Sequence, residues 1–229
     1  GVVRVLTSAD IPGTNDVSCM GRHDEPLFAD DLIEYAGQPL FAVAAETREQ
    51  ARRAARLAVA TYEDLEPVLT LDRARERGTV VFPPMVLKRG ESDAAIAGAP
   101  HRLEGRISIG GQDHFYLEGQ IAMAVPGEDD EVLVHCSTQH PSEVQHIVAH
   151  VLNVPANAVA VEVRRMGGAF GGKETQANLF AATAAVVARK TGRAAKLRPD
   201  RDDDMVITGK RHDFEVDYRV GFDDDGRIR

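Results

Sequence analysis

Arg165-Met166-Gly167-Gly168-Ala169-Phe170-Gly171-Gly172-Lys173-Glu174-Thr175 lies between a β-branched run at Val159–Val163 and a long alanine-rich stretch with helical spacing. Its four glycines carry no Cβ, so the backbone there can approach a ligand closely. A helix is predicted over Glu174–Lys190, closed by Gly192 just past its end. Such a helix would aim its unpaired first N–H groups into the space beside the glycines, which suits an anionic ligand.

A nucleotide phosphate loop is the obvious reading of this run, and the residues argue against it. Gly167 to Lys173 fits G-x-x-x-x-G-K, but Glu174 follows where Ser or Thr should hold Mg²⁺. A carboxylate there faces phosphate oxygens of its own sign. Thr175 comes one residue late, roughly 100° further round a helix. The loop is better suited to an anionic group for which Glu174 is a second recognition element.

Working outward, Gly1–Thr7 and Leu40–Ala45 read as strands, with an irregular polar loop at Gly13–Pro26. Thr47 with Gln50 forms a capping box opening a helix to about Tyr62, whose Arg48, Arg52, Arg53 and Arg56 read as a solvated face. Residues 69–101 carry Pro83-Pro84, many charges and little periodicity. They read as a connection with weak helices near Asp72–Arg77 and Asp93–Ala97. Strands are expected at Ile107–Ile109, Gln120–Val125 and Val132–Ser137, the last two joined by a hairpin at Pro126–Asp130. Pro141–Leu152 is an amphipathic helix with proline in its first turn, and Ala194–Leu197 and Phe214–Val220 are further strands. Helices and strands alternate irregularly, so the fold class is α+β rather than doubly wound.

The 229 residues suffice for one large domain or two ordinary ones, and 43% hydrophobic with 28% charged residues is a globular mix. A net charge of −9 leaves no basic footprint for nucleic acid. No apolar stretch approaches the ~20 residues of a membrane span and no signal peptide is visible, so no membrane partner and a cytoplasmic location are expected. Cys19 and Cys136 lack a C-x-x-C spacing and read as reduced thiols, one of them buried. His140, His146 and His150 come nearest to a metal pattern but read as packing or surface. The chain has no initiator Met, opens inside the strand-like run Val2–Leu6 and ends just after a turn signal. It is expected to be a segment truncated at both ends.

Two further segments join the glycine loop. Gly110-Gly111-Gln112-Asp113-His114-Phe115-Tyr116-Leu117-Glu118 gathers an amide, an imidazole and two acids; the Gln112 amide can donate and accept without changing charge. On its plain structural reading this is a turn before a strand. Asp200-Arg201-Asp202-Asp203-Asp204-Met205, followed by Thr208-Gly209-Lys210-Arg211-His212, reads as a solvated turn with local ion pairs.

In order and spacing these three segments resemble the molybdenum-binding subunit of the xanthine dehydrogenase and aldehyde oxidase family. The resemblance covers essentially the whole chain. It implies a partial α/β-hammerhead domain over 1–68, a connection over 69–101 and the first part of a molybdopterin-binding domain over 102–229. The implied cofactor is molybdenum-molybdopterin, with FAD and [2Fe-2S] clusters on partner subunits or domains and a dimer of the complete enzyme. Gln112 matches the glutamine whose amide bonds the metal's apical oxo ligand. Phe170 and Gly171 match loop residues whose N–H groups approach the molybdenum oxygen. On its plain structural reading Phe170 is a plug packed into the core beneath.

Glu174 matches a glutamate of xanthine dehydrogenases that recognises the purine, where aldehyde oxidases tend to carry an apolar residue. The resemblance therefore implies hydroxylation of hypoxanthine or xanthine to urate, with water as the oxygen source and Glu174 as a catalytic residue. The alternatives are an aldehyde or other N-heterocycle hydroxylase, or a non-catalytic scaffold. The family's base glutamate and substrate-orienting arginine match no residue here, so this segment alone is expected to be inactive.

Overall fold

The structure, a computed structural model, describes residues 1–228, the side chain of Met20 excepted. It falls into two compact units, each built from separated stretches of chain. The first comprises residues 1–60 and 113–210, and the second residues 61–112 with the chain from Arg211 on.

In the first unit, β4 (Ala122–Pro126), β5 (Val132–Cys136), β6 (Val159–Glu162) and β7 (Ala195–Leu197) form one mixed sheet in the order β6-β5-β4-β7. The β4–β5 hairpin is antiparallel, pairing Ala122 with Cys136 and Pro126 with Val132. Strands β5 and β6 are parallel, joined through the helix α4 (Pro141–Leu152). Alternate residues Ala122, Ala124, Val132, Val134 and Cys136 are buried, the period-two pattern of a strand with one covered face.

The long helix α5 (Ala177–Thr191) packs on that sheet and against α4. Its small residues Ala181, Ala182, Ala184, Ala185 and Ala188 are all buried, which lets the helix axis approach its neighbours closely. A separate ladder of β1 (Val2–Leu6) with β2 (Ala42–Ala45) carries the capped helix α1 (Arg48–Ala55), and Leu6, Leu27 and Phe28 join the same core.

The second unit holds α2 (Leu71–Arg77), α3 (Ser92–Gly98) and a nine-pair antiparallel ladder of β3 (His101–Ile109) with β8 (Phe214–Phe222). Leu103, Ile107, Phe214, Val216 and Tyr218 are exposed on it.

Four expectations are corrected. The helix from Arg48 stops at Ala55 instead of Tyr62, because Leu57 and Val59 are exposed and no packed face rewards continuing it. Strand β3 starts at His101, since pairing with distant β8 adds residues that lack strand patterning. Helix α5 starts at Ala177, not Glu174. The Lys173 carbonyl, which would accept the first helical bond, already accepts from the Gln139 N–H and the Thr138 hydroxyl.

The acidic run forms a helix, α6 (Arg201–Ile207), rather than a solvated turn. Its Asp204 is buried, while Asp200 precedes the helix and pairs with Arg48 and Arg52 of the face expected to be merely solvated. Asp204 accepts from the Tyr116 hydroxyl at 2.6 Å and from the Gln120 N–H at 2.6 Å. Burial, and then the bond to Asp204, push the Tyr116 phenol up to about 12. Removing that acceptor leaves two buried donors short of a partner. Asp204→Ala is expected to destabilise the protein by about 2–5 kcal/mol in urea-induced unfolding, and Asp204→Asn by less, since one acceptor oxygen remains.

Candidate functional site

The glycine run belongs to the turn-rich segment 163–176 between β6 and α5. Phe170 and Gly171 take left-handed backbone angles, φ 55° and 92°, and two tight turns follow, Gly172 N–H to Ala169 O and Glu174 N–H to Gly171 O. Glycine is the low-strain choice at φ 92°, whereas Phe170 sits there against its preference.

Beneath the loop lies the segment from Asp113 to Gln120. The Glu118 N–H donates to the Gly167 carbonyl at 3.0 Å. A Cβ at Gly172 would come within 2.7 Å of the rings of both His114 and Tyr116, so the two segments touch backbone to ring.

Lys173 is 0% exposed. Its Nζ donates to Glu118 Oε1 at 3.1 Å and Ser137 Oγ at 3.0 Å, and lies 4.9 Å from the centre of the Tyr116 ring. A lysine turned inward has no reach toward a phosphate, which supports rejecting the nucleotide loop. Partial burial works against ionisation of Glu118, but the bonds from Ser137 and Lys173 outweigh it and hold the carboxyl below its ordinary value. Gln120, also fully buried, donates through Nε2 to the Tyr116 hydroxyl and to the Gly172 carbonyl at 2.8 Å.

The segment Ser137–Gln139, just past β5, grips the loop from the other side. Thr138 Oγ1 donates to the Lys173 carbonyl at 3.1 Å and the Gln139 N–H to the same oxygen at 2.9 Å. The Gln139 Oε1 accepts from the Gly171 N–H at 3.1 Å and the Lys173 N–H at 3.3 Å.

Phe170, Gly171 and Glu174 share this loop. Phe170 is 76% exposed, so it is not a plug in the core; its ring folds back on Gly168, whose Cβ would meet it at 3.2 Å. Among the described residues its N–H has no partner, while the Gly171 N–H is engaged by Gln139. The Glu174 carboxylate is exposed and likewise without a partner among the described residues.

Gln112 belongs to the second unit, where its backbone bridges to Arg211 in both directions at 3.0 Å. Its side-chain amide is exposed and unpartnered among the described residues. Burial pushes the Cys136 thiol up to about 12, and no three His, Cys, Asp or Glu side chains among the described residues are placed to hold a metal ion.

Sequence reasoning missed Gln120, Gln139 and the inward role of Lys173, and misjudged Asp204. Lys173 sits inside the quoted glycine run, which flags it without saying which way it points, and Gln120 reads only as the start of a strand. Nothing in the sequence marks Gln139, a polar residue between a strand and a helix.

Comparison with known proteins shows the family of the chain. The family model described as "Molybdopterin cofactor-binding domain" matches residues 75–229, and "Aldehyde oxidase and xanthine dehydrogenase, a/b hammerhead domain" matches residues 1–66. Aldehyde oxidase 2 of Cavia porcellus is 45% identical across 100% of this chain, and xanthine dehydrogenase/oxidase of Gallus gallus is 41% identical across 100%. The chain spans only 17% of the length of each. The aldehyde oxidoreductase of Desulfovibrio desulfuricans superposes with a TM-score of 0.89 at 23% identity, over 100% of this chain and 27% of that one, a likeness of fold. The chain belongs to the molybdopterin cofactor-binding family of aldehyde oxidases and xanthine dehydrogenases.

Two outcomes test the packing beneath the loop. Gly172→Ala is expected to destabilise by about 1–3 kcal/mol in thermal unfolding, because the new methyl meets two ring systems. Glu118→Gln is expected to destabilise only where the carboxylate is ionised. A lowered carboxyl contributes stability that is complete above its unfolded value of about 4.3 and lost as pH falls through the lower folded value. The difference from wild type, followed by unfolding at stepped pH, should therefore hold above about pH 4.3 and shrink as pH falls below it.

Proposed function

From that membership we propose that this chain forms one wall of a molybdenum hydroxylase site and that its substrate is a purine. The carrying observation is Glu174, an exposed carboxylate without a partner among the described residues, on the same loop as the Phe170 N–H, which likewise has none among them.

The residues present fit a molybdenum–pterin group. The loop offers a neutral N–H beside an open face, for a Cβ at Gly171 would meet only His114, at an ordinary 3.8 Å. A neutral donor on an open glycine face suits an anionic oxygen carried by a cofactor, not a bare cation. In this reading Phe170 donates to that oxygen, and the Gln112 amide, exposed on its own unit, is a separate candidate donor to such a group. When bound, such a group supplies oxygen transfer and accepts two electrons.

Glu174 then recognises ring N–H groups of the purine and steadies charge as the ring is attacked. A carboxylate without a partner is suited to this, because its two oxygens accept without first breaking an internal bond. Phe170, its ring exposed beside the donor, covers the cofactor face against water. The same reading assigns FAD and [2Fe-2S] clusters to partner domains or subunits, the general base to residues beyond this segment, and a cytoplasmic setting with dimeric assembly to the complete enzyme.

A second reading, an aldehyde hydroxylase, is favoured by the 45% identity to Aldehyde oxidase 2, which lies between the 41% and 46% of two relatives named xanthine dehydrogenase. In the full-length enzyme Glu174→Ala is expected to lower kcat/KM for hypoxanthine by about 10–100-fold, the worth of a hydrogen bond to a charged group. Bound molybdenum and any turnover of benzaldehyde should stay near wild type. Equal loss on both substrates, or loss of the metal, would show that Glu174 supports the loop instead of reading a purine.

A further inference from the structure

We infer that Gln139 is a positioning residue: its side-chain oxygen takes the Gly171 and Lys173 N–H groups and so fixes the peptide next to the Phe170 N–H, which has no partner among the described residues. The inference rests on the functional reading of this loop and adds a residue that no motif marks.

The grip is reciprocal. Gln139 donates its own N–H to the Lys173 carbonyl at 2.9 Å while its Oε1 accepts from the Lys173 N–H at 3.3 Å, closing a ring between the two residues. The same oxygen accepts from Gly171 at 3.1 Å. One amide oxygen has two lone pairs, so both are used, and Gln139 has no further acceptor on that atom for a ligand. Thr138 and Ser137 complete the clamp through the Lys173 carbonyl and Nζ, which anchors Lys173 at backbone and tip together.

The consequence lies at Phe170. Its φ of 55° is unfavourable for a residue with a bulky side chain, and nothing in the loop bonds its own N–H. The conformation therefore depends on neighbours being fixed, and Gln139 fixes the peptide that follows it. With Gly171 and Lys173 held, the Phe170 donor is pre-set toward the open face before any ligand arrives, which spares the ligand the ordering cost. Without the amide oxygen, the Gly171 peptide is free to rotate and compete for the same anionic oxygen.

The test uses the full-length protein, prepared both without cofactor and loaded. In the cofactor-free protein, hydrogen exchange resolved at single amides should show Gly171 and Lys173 protected and Phe170 fast. Gln139→Leu should speed exchange at Gly171 and Lys173 by at least about fivefold, and Gln139→Glu, which keeps an acceptor oxygen at that place, should restore protection. In the loaded enzyme Gln139→Leu should lower kcat by about fivefold or more at nearly unchanged KM, with Gln139→Glu recovering part of it. Unchanged protection of Gly171 in Gln139→Leu overturns the inference whatever the metal content. So does lost protection with unaltered kcat. A wild-type enzyme that binds no molybdenum overturns the functional reading instead, and the exchange data tell the two failures apart.

Discussion

A lysine Nζ with no access to water lies under the glycine loop, and the arrangement around it depends on that burial being compensated. An unpaired ammonium in such a place costs several kcal/mol, and removing one partner of a buried ion pair costs comparably. Lys173 is met by the Glu118 carboxylate, the Ser137 hydroxyl and the face of Tyr116. The partners come from two places: Glu118 and Tyr116 from the segment before β4, Ser137 from just past β5. Compensating one charge therefore draws two separate stretches of chain beneath the loop and leaves little freedom for the residues above it.

A second buried charge repeats the device. Asp204, on a short helix near the end of the first unit, receives the Tyr116 hydroxyl and the Gln120 N–H, and Gln120 in turn reaches the Gly172 carbonyl. Tyr116 touches both centres, its ring toward Lys173 and its hydroxyl toward Asp204. The loop is thus supported by a network whose members are polar and buried, where satisfied bonds specify one arrangement and a missing one is expensive. The proposed role of the loop, holding donors for an anionic oxygen, gains from such support, since electrostatic stabilisation requires dipoles that do not reorganise.

Much of the secondary structure was legible because its cause is local. The α4 boundaries follow from a proline at the first turn and a 3.6-residue apolar pattern, and Gly192 ends α5 in the left-handed conformation glycine favours. The capping box at Thr47 and Gln50 formed as its spacing implied. The elements that differed have non-local causes. Strand β3 gained residues from a partner more than a hundred positions away, α1 lost its last turns for want of a packing surface, and α5 gave up its first turn because Gln139 and Thr138 had taken the Lys173 carbonyl.

The candidate site divides in the same way. From the order of residues alone came the glycine loop, the exclusion of a nucleotide phosphate site by Glu174, and the likeness of three motifs to one enzyme family. These depend on residue identity and spacing, which are written in the chain. Only the tertiary structure decided that Lys173 points inward, that Phe170 stands in solvent rather than in the core, that Asp204 is buried within an acidic run, and that Gln139 claims the Gly171 and Lys173 N–H groups. The direction of a side chain and the partner of a backbone N–H are settled by which distant segments arrive beside them, and no local pattern of residues carries that information.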